Sequence, residues 1–422
     1  MSIITGTLLL VLITGLTPAY ARAQPPGRTS EPPPRGSFLG LQQAIELGLD
    51  HHPLVQEADA TLKAATARTE QARAIYYPHV DANFDTTAGA GRLNPRFLVG
   101  GFLVQQNLSQ YVGGVSVNQR IFDFGYSQNT VNAAHLAERA QEQGISARQA
   151  IVVLNVQTAY LVSLKHQRLV QIAEETVRER GIIKGQIEAL YRQQLKSKLD
   201  LDLVQVELTN AASQLVRARN GLKSGFANLN RAMGVTGAED YVLEDLPIEV
   251  RPQRPLESLI SDSLSHPEFR KSKELTASAD AKITATKRQY LPTVSAYASG
   301  GDFQVFDQSR AQASNTGGWW AAGGFVSMPL FTGFMIENQL TEAKAQKAAA
   351  EAASLNIEQA LTQQVTNSYL DTVSFAQQIK LGEEQVKTAQ EALGLAKQRY
   401  KLGLGSVVEV TQAEVALTGA QT

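Results

Sequence analysis

Six histidines, 40 acidic residues and no cysteine are the groups from which this 422-residue chain could build a reactive or metal-binding site. The missing cysteine removes thiolate metal sites, cysteine nucleophiles, disulfide frameworks and a lipid anchor on an N-terminal cysteine. The histidines lack a ligand spacing: His51 and His52 precede the helix-breaking Pro53, His79 opens an alternating segment, and no H-x-x-x-H or paired-acid pattern accompanies them. They read as surface or helix-capping residues. The glycine pairs Gly113-Gly114 and Gly323-Gly324 precede no phosphate-binding helix and read as bends in strands. No catalytic residue, cofactor or metal is therefore expected. What does recur is a serine followed three residues later by an acid, at Ser197-Lys198-Leu199-Asp200 and at Ser406-Val407-Val408-Glu409. In such a capping box the serine and the acid satisfy free N–H groups at a new helix start.

The elements that must position these groups belong to an exported chain. Ile3 to Leu16 is an apolar run too short to span a bilayer, and Ala21-Arg22-Ala23 supplies a cleavage pattern, so residues 1–23 are expected to be a signal peptide. The Pro-rich stretch of residues 24–37 reads as an extended tether. No later segment has the roughly 18 consecutive apolar residues of a membrane helix, so a membrane crossing would fall to β-strands. With 39 basic against 40 acidic residues, the chain offers no electrostatic footprint for nucleic acid.

An internal repeat organises what remains. His52-Pro53 recurs as His266-Pro267 and Tyr77-Pro78 as Leu291-Pro292, both displaced by 214 residues (266 − 52). Further on, Ile121-Phe122 recurs as Leu330-Phe331, Tyr160-Leu161 as Tyr369-Leu370 and Tyr191 as Tyr400, all displaced by 209 residues (400 − 191). The first copy is expected to cover residues 38–233, a connection residues 234–255, and the second copy residues 256–422.

Each copy has the same order of elements. A helical segment interrupted at Pro53 or Pro267 is followed by period-two alternation, with Val80, Ala82 and Phe84 against His79, Asp81, Asn83 and Asp85, then Val115, Val117 and Ile121 against Ser116, Asn118 and Arg120. The second copy places Val294, Ala296 and Ala298 in one strand and Val326, Met328 and Leu330 in the other. The strand pairs are expected at about residues 79–122 and 293–331, joined by loops from Ala90 to Gln110 and from Gln304 to Trp320, with Trp319-Trp320 at a membrane interface. Helical hairpins follow at about residues 123–233 and 333–422, on a face carrying Val152, Val156 and Tyr160, or Leu361, Val365 and Tyr369. Gly185 and Gly394 coincide, which reads as a shared kink or tight helix contact or, equally, as simple tolerance of glycine. The first hairpin ends at Met233; its counterpart would fall at position 442 (233 + 209), so the last helix is expected to be truncated. Four strands cannot close a barrel, so the chain must oligomerise.

Over residues 38–422 this order of elements resembles the TolC-like outer membrane efflux protein family, on the Ile121-Phe122-Asp123-Phe124-Gly125 and Leu330-Phe331-Thr332-Gly333 segments and the hairpin ends Tyr191 to Asp200 and Tyr400 to Glu409. The resemblance implies a mainly α fold with a transmembrane β part. By trimerisation it would form a 12-stranded β-barrel in outer membrane lipid, continuous with a 12-helix periplasmic α-barrel. It implies a passive exit duct of a tripartite efflux or type I secretion system, with a periplasmic adaptor (membrane fusion protein) and an inner-membrane transporter of RND, ABC or MFS type as partners. At the hairpin ends it implies a gate that joins a tyrosine, an arginine and acids. Tyr400 matches the tyrosine, with Tyr191 its counterpart in the first copy; Asp200 and Glu409 match acids; Gly405 stands at the arginine position and Gln412 at a second acidic one. Adaptor docking would fall on Leu195, Gly403 and Leu404. The competing reading, a periplasmic adaptor or structural coiled-coil protein, shares the long hairpins but not the duplicated strand pair.

Overall fold

The computed structural model describes residues 36–87, 97–99, 102–104, 108–237, 239–247, 254–307, 314–402 and 404–421. The expected signal peptide, most of the tether and Gly403 lie outside these residues. In chain order the elements are β1 (Phe38–Leu39), α1 (Leu41–His51), α2 (Pro53–Arg73), β2 (His79–Thr87), β3 (Phe97–Val99), β4 (Phe102–Val104), β5 (Leu108–Phe122), α3 (Tyr126–Arg192) and α4 (Lys198–Met233). They continue as β6 (Val242–Leu243), α5 (Leu256–Ser263), α6 (Pro267–Arg288), β7 (Thr293–Asp307), β8 (Ser314–Ser327), α7 (Met335–Lys401) and α8 (Val407–Gln421).

Proline interrupts the first helices as its chemistry requires. Pro53 and Pro267 take the first position of α2 and α6, where no N–H is needed, and the preceding histidines cap those helices. His52 Nδ1 accepts from the Leu54 N–H at 3.1 Å and His266 Nδ1 from the Glu268 N–H at 3.2 Å. Burial, and then the charge of Arg231, hold the His52 ring below the ordinary histidine range, which keeps that nitrogen free to accept.

Strands β2, β5, β7 and β8 form one antiparallel sheet in that order, with β2 and β8 at its edges. Val80 and Ala82 face Val117 and Val115 across the first pair, which puts the apolar residues of both strands on one side. The register shifts between Arg120 and Phe122, so the regular alternation of β5 ends before Ile121. The strands also run further into the expected loops than the sequence indicates: β5 begins at Leu108 and β7 continues to Asp307. Trp319 and Trp320 are inside β8, opposite Gly301 and Gly300. Only Trp320 shares the face of Val326, because successive strand residues alternate. At the other end β8 stops at Ser327, and Met328 and Leu330, which the alternation places in the strand, are outside it.

Two 67-residue helices, α3 and α7, leave the sheet. Each spans roughly 100 Å at about 1.5 Å per residue. Asp123 turns β5 into α3: its carboxylate accepts from the Gly125 N–H at 3.2 Å and the Ser127 N–H at 2.9 Å. Gly185 and Gly394 make no tight contact, since a Cβ at either would meet nothing within 4 Å, and both helices pass through them unbroken. The main core lies midway along α3, where Val152, Val156 and Tyr160 are fully buried against α1, the end of α4 and the short parallel pair β1–β6. The Tyr160 hydroxyl lies 2.9 Å from both the Leu39 and the Glu244 carbonyl oxygens, and the Gln167 side-chain amide exchanges two hydrogen bonds with the Leu243 backbone. Gly234 ends α4 with φ +72, and a Cβ there would stand 2.7 Å from the His52 Cα.

Candidate gate at the hairpin ends

The two hairpin turns share one closing backbone hydrogen bond. After α3 the Gln194 N–H donates to the Tyr191 carbonyl and the Leu195 N–H to the Leu190 carbonyl, both at 2.9 Å, with Gln194 at φ +60. This pattern closes a helix C-terminus and prefers glycine at the left-handed position. After α7 the Leu404 N–H donates to the Arg399 carbonyl at 2.9 Å, and the residue equivalent to Gln194 is Gly403. Leu195 and Leu404, at the turns, are 66% and 68% exposed.

The two helix starts that follow are not alike. At Ser197 the box is complete: Ser197 Oγ accepts from the Asp200 N–H at 3.2 Å, and Asp200 Oδ2 accepts from the Ser197 N–H at 3.1 Å. Those bonds from the Ser197 hydroxyl and backbone hold the Asp200 carboxyl below the ordinary carboxylate range. At Ser406 only half forms. Ser406 Oγ accepts from the Glu409 N–H at 3.2 Å, but the Glu409 carboxylate turns to Arg399, 3.6 Å from its Nε. Arg399 also donates through Nη2 to the Leu404 carbonyl at 3.1 Å. The expectation of two equivalent boxes is thus corrected, because a cation in the last turn of α7 competes for the acid.

Arg399 is the group the sequence reading missed. At Gly405, where the resemblance leads one to expect the family's arginine, a Cβ would stand 3.0 Å from Glu409 Oε2 and 3.2 Å from Arg399 Cβ. A guanidinium is present all the same, supplied from six residues earlier. Its signal was the basic last turn of α7, with Arg399 and Lys401.

Tyr400 is placed inside the contact between the hairpins. It packs against Ile187, Val204 and Val407 from α3, α4 and α8, and Lys196 Nζ lies 5.1 Å from its ring centre. Its hydroxyl is buried with no hydrogen-bond partner among the described residues, so Tyr400 joins neither Asp200 nor Glu409. Tyr191 is exposed, and so is Gln412, on α8. No group of three or more His, Cys, Asp or Glu that could hold a metal occurs among the described residues. None of the described helices is long and apolar enough to cross a membrane.

A family model for the outer membrane efflux protein matches residues 44–235 and 259–422. The chain belongs to that family. Protein CyaE of Bordetella pertussis is 26% identical over 391 residues, 91% of this chain and 80% of that protein. The toluene efflux pump outer membrane protein TtgC of Pseudomonas putida is 24% identical, over 90% of this chain and 78% of its own. Among solved structures, the outer membrane protein VceC of Vibrio cholerae has the same fold, with a TM-score of 0.71 at 21% identity over 90% of both chains. As a family member, the protein is an outer membrane efflux protein with a large helical periplasmic part.

Proposed function

We propose that three copies of this chain close their sheets into one 12-stranded barrel in the outer membrane and their helices into a hollow wall beneath it. The result is a passive exit duct, fed by an inner-membrane transporter through a periplasmic adaptor, for efflux or type I secretion. The observation that carries this reading is the open sheet. The outer edges of β2 and β8 have no strand partner within the described chain, yet an unpaired backbone group in lipid costs several kcal/mol. Four strands are half of the eight or so in the smallest single-chain barrels, so other copies must supply the rest.

The surfaces support the same reading. One face of the sheet exposes Val80, Phe84, Val115 and Val326, and Trp320 at 83%. Above the level of Gly300 and Trp320, Asp302 and then Gln304 follow on that face of β7, beside the stacked rings of Phe84 and Tyr111, as expected where a lipid-facing band of about 25 Å ends at aromatic residues. Along the helices, Leu154, Leu161, Ile182, Val206 and Val216 of the first hairpin and Leu355, Leu370, Leu381 and Leu395 of α7 are exposed. Large apolar side chains repeated over such a length mark surfaces that neighbouring copies would cover.

The mature protein is expected to fractionate with the outer membrane and to cross-link as a trimer; a monomer in the soluble periplasmic fraction ends this reading. In the closed ring, Glu409 from each copy would favour cations at the periplasmic mouth, partly offset by Arg399. Glu409→Gln is expected to lower cation selectivity in planar bilayers and Arg399→Gln to raise it. Unchanged selectivity in both leaves Glu409 as a helix residue only.

A further inference from the structure

Near their ends the two hairpins meet in two layers. One is the apolar cluster of Ile187, Val204, Val407 and Tyr400. The other is built of charge. Arg180 of α3, with its side chain 8% exposed, donates through Nη1 to Glu207 Oε2 of α4 at 2.9 Å, and its Nε lies 3.5 Å from Glu414 Oε2 of α8. Glu414 has its side chain 5% exposed, and Lys397 of α7 approaches its Oε1 at 3.6 Å. That oxygen is buried and accepts no hydrogen bond among the described residues, while Glu179 of α3 adds a repelling charge.

A carboxylate removed from water recovers its lost solvation only where well-aligned hydrogen bonds replace the water, and Glu414 lacks them. Burial accordingly holds its carboxyl above the ordinary carboxylate range, with Arg180 and Lys397 pulling the other way. Protonation would strand nothing, because Arg180 keeps Glu207 and the Lys397 side chain, 41% exposed, can turn to water. We propose that Glu414 is the loosening element of the seam between the hairpins: its ionised carboxylate favours separation of α8 from α3, where water reaches it, and its protonated form favours contact. The sign follows from linkage, since the state that binds the proton more tightly, here the closed seam, gains as pH falls. The consequence for the pore rests on the duct reading above: acid on the periplasmic side would narrow the duct.

The full chain has no cysteine, so paired spin labels at Gln186 on α3 and Gln412 on α8, both exposed, would report the seam in trimers diluted with unlabelled subunits. Between about pH 7.5 and about pH 5 the separated population is expected to fall by about threefold or more. Glu414→Gln, nearly isosteric, is expected to hold the low value at both pH values, and Arg180→Gln to raise the separated population at neutral pH. Distances in the parent chain that ignore pH, or a Glu414→Gln chain that still responds, would overturn the proposal. Planar-bilayer conductance measured on the same proteins separates the two readings: a pH-responsive seam in a protein that conducts nothing defeats the duct and spares the seam, whereas conduction with an unresponsive seam does the reverse.

Discussion

Val152, Val156 and Tyr160 of α3 and Leu361, Val365 and Tyr369 of α7 stand 209 residues apart at equivalent places in the repeat, yet the first three are fully buried and the second three only half-buried. The difference lies in what packs on them. In the first copy α1 presents Ala44, Leu47 and Gly48, all buried, and Gly48 comes so close that a Cβ there would stand 2.8 Å from Val156 Cγ2. In the second copy the positions 214 residues on are Ser258, Ser261 and Asp262; Asp262 turns outward to Arg254 at 2.7 Å, and an open groove lined by Leu259 and Asp262 of α5 lies along Leu361, Val365 and Tyr369. The first copy is further sealed by β1, β6, Phe226, Leu229, Met233 and Tyr241. An apolar stripe at helical spacing thus states that a face can be buried; the neighbouring helix decides whether it is.

The sharpest way to break this comparison is to truncate both tyrosines. Tyr160→Ala is expected to cost about 3–5 kcal/mol of stability, as for other buried aromatic truncations, and Tyr369→Ala about 1 kcal/mol. Equal losses in chemical denaturation would show that the second groove is covered in the assembled protein. Gly48→Ala should cost about 1–3 kcal/mol by overpacking against Val156, while Asp262→Ala stays within about 0.5 kcal/mol; a neutral Gly48→Ala would mean that α1 can lift away from α3 freely.

Removing only the hydroxyl, Tyr160→Phe, takes away the one O–H shared by the Leu39 and Glu244 carbonyls, of which Leu39 keeps the Glu244 N–H at 3.3 Å, and is expected to cost about 1–2 kcal/mol. The same residue carries a pH signature. Burial holds the Tyr160 and Tyr241 phenols above the ordinary range, so their contribution is fully present below the ordinary phenol value and is lost as pH rises through the raised one. Denaturation midpoints measured from neutral to strongly alkaline pH should fall less steeply in Tyr160→Phe than in the parent, and parallel curves would rule out a contribution from Tyr160. The smallest contrast is at the hairpin ends: Ser197→Ala, which removes a complete capping box, should cost about 1 kcal/mol and Ser406→Ala about half of that. Equal melting shifts would deny that Arg399 draws Glu409 out of its box.

What the sequence determined by itself was whatever depends on neighbours a few residues away. The proline restarts with their histidine caps, the alternation of β2 and β5, the serine and acid at Ser197 and Asp200, and the glycine stop at Gly234 are all settled within one turn or one strand, where backbone sterics and local hydrogen bonds dominate. The duplication was legible for the same reason, because both copies write the same local signals in the same order. The tertiary structure alone decided which apolar stripe is sealed, how β2, β5, β7 and β8 line up, that Tyr400 enters the seam with its hydroxyl unpaired, and that Arg180 meets a carboxylate 234 positions later in the chain (414 − 180). Such contacts join residues whose separation along the chain carries no information about their distance in space. They exist only because helices packed elsewhere bring them to within an ion pair's reach.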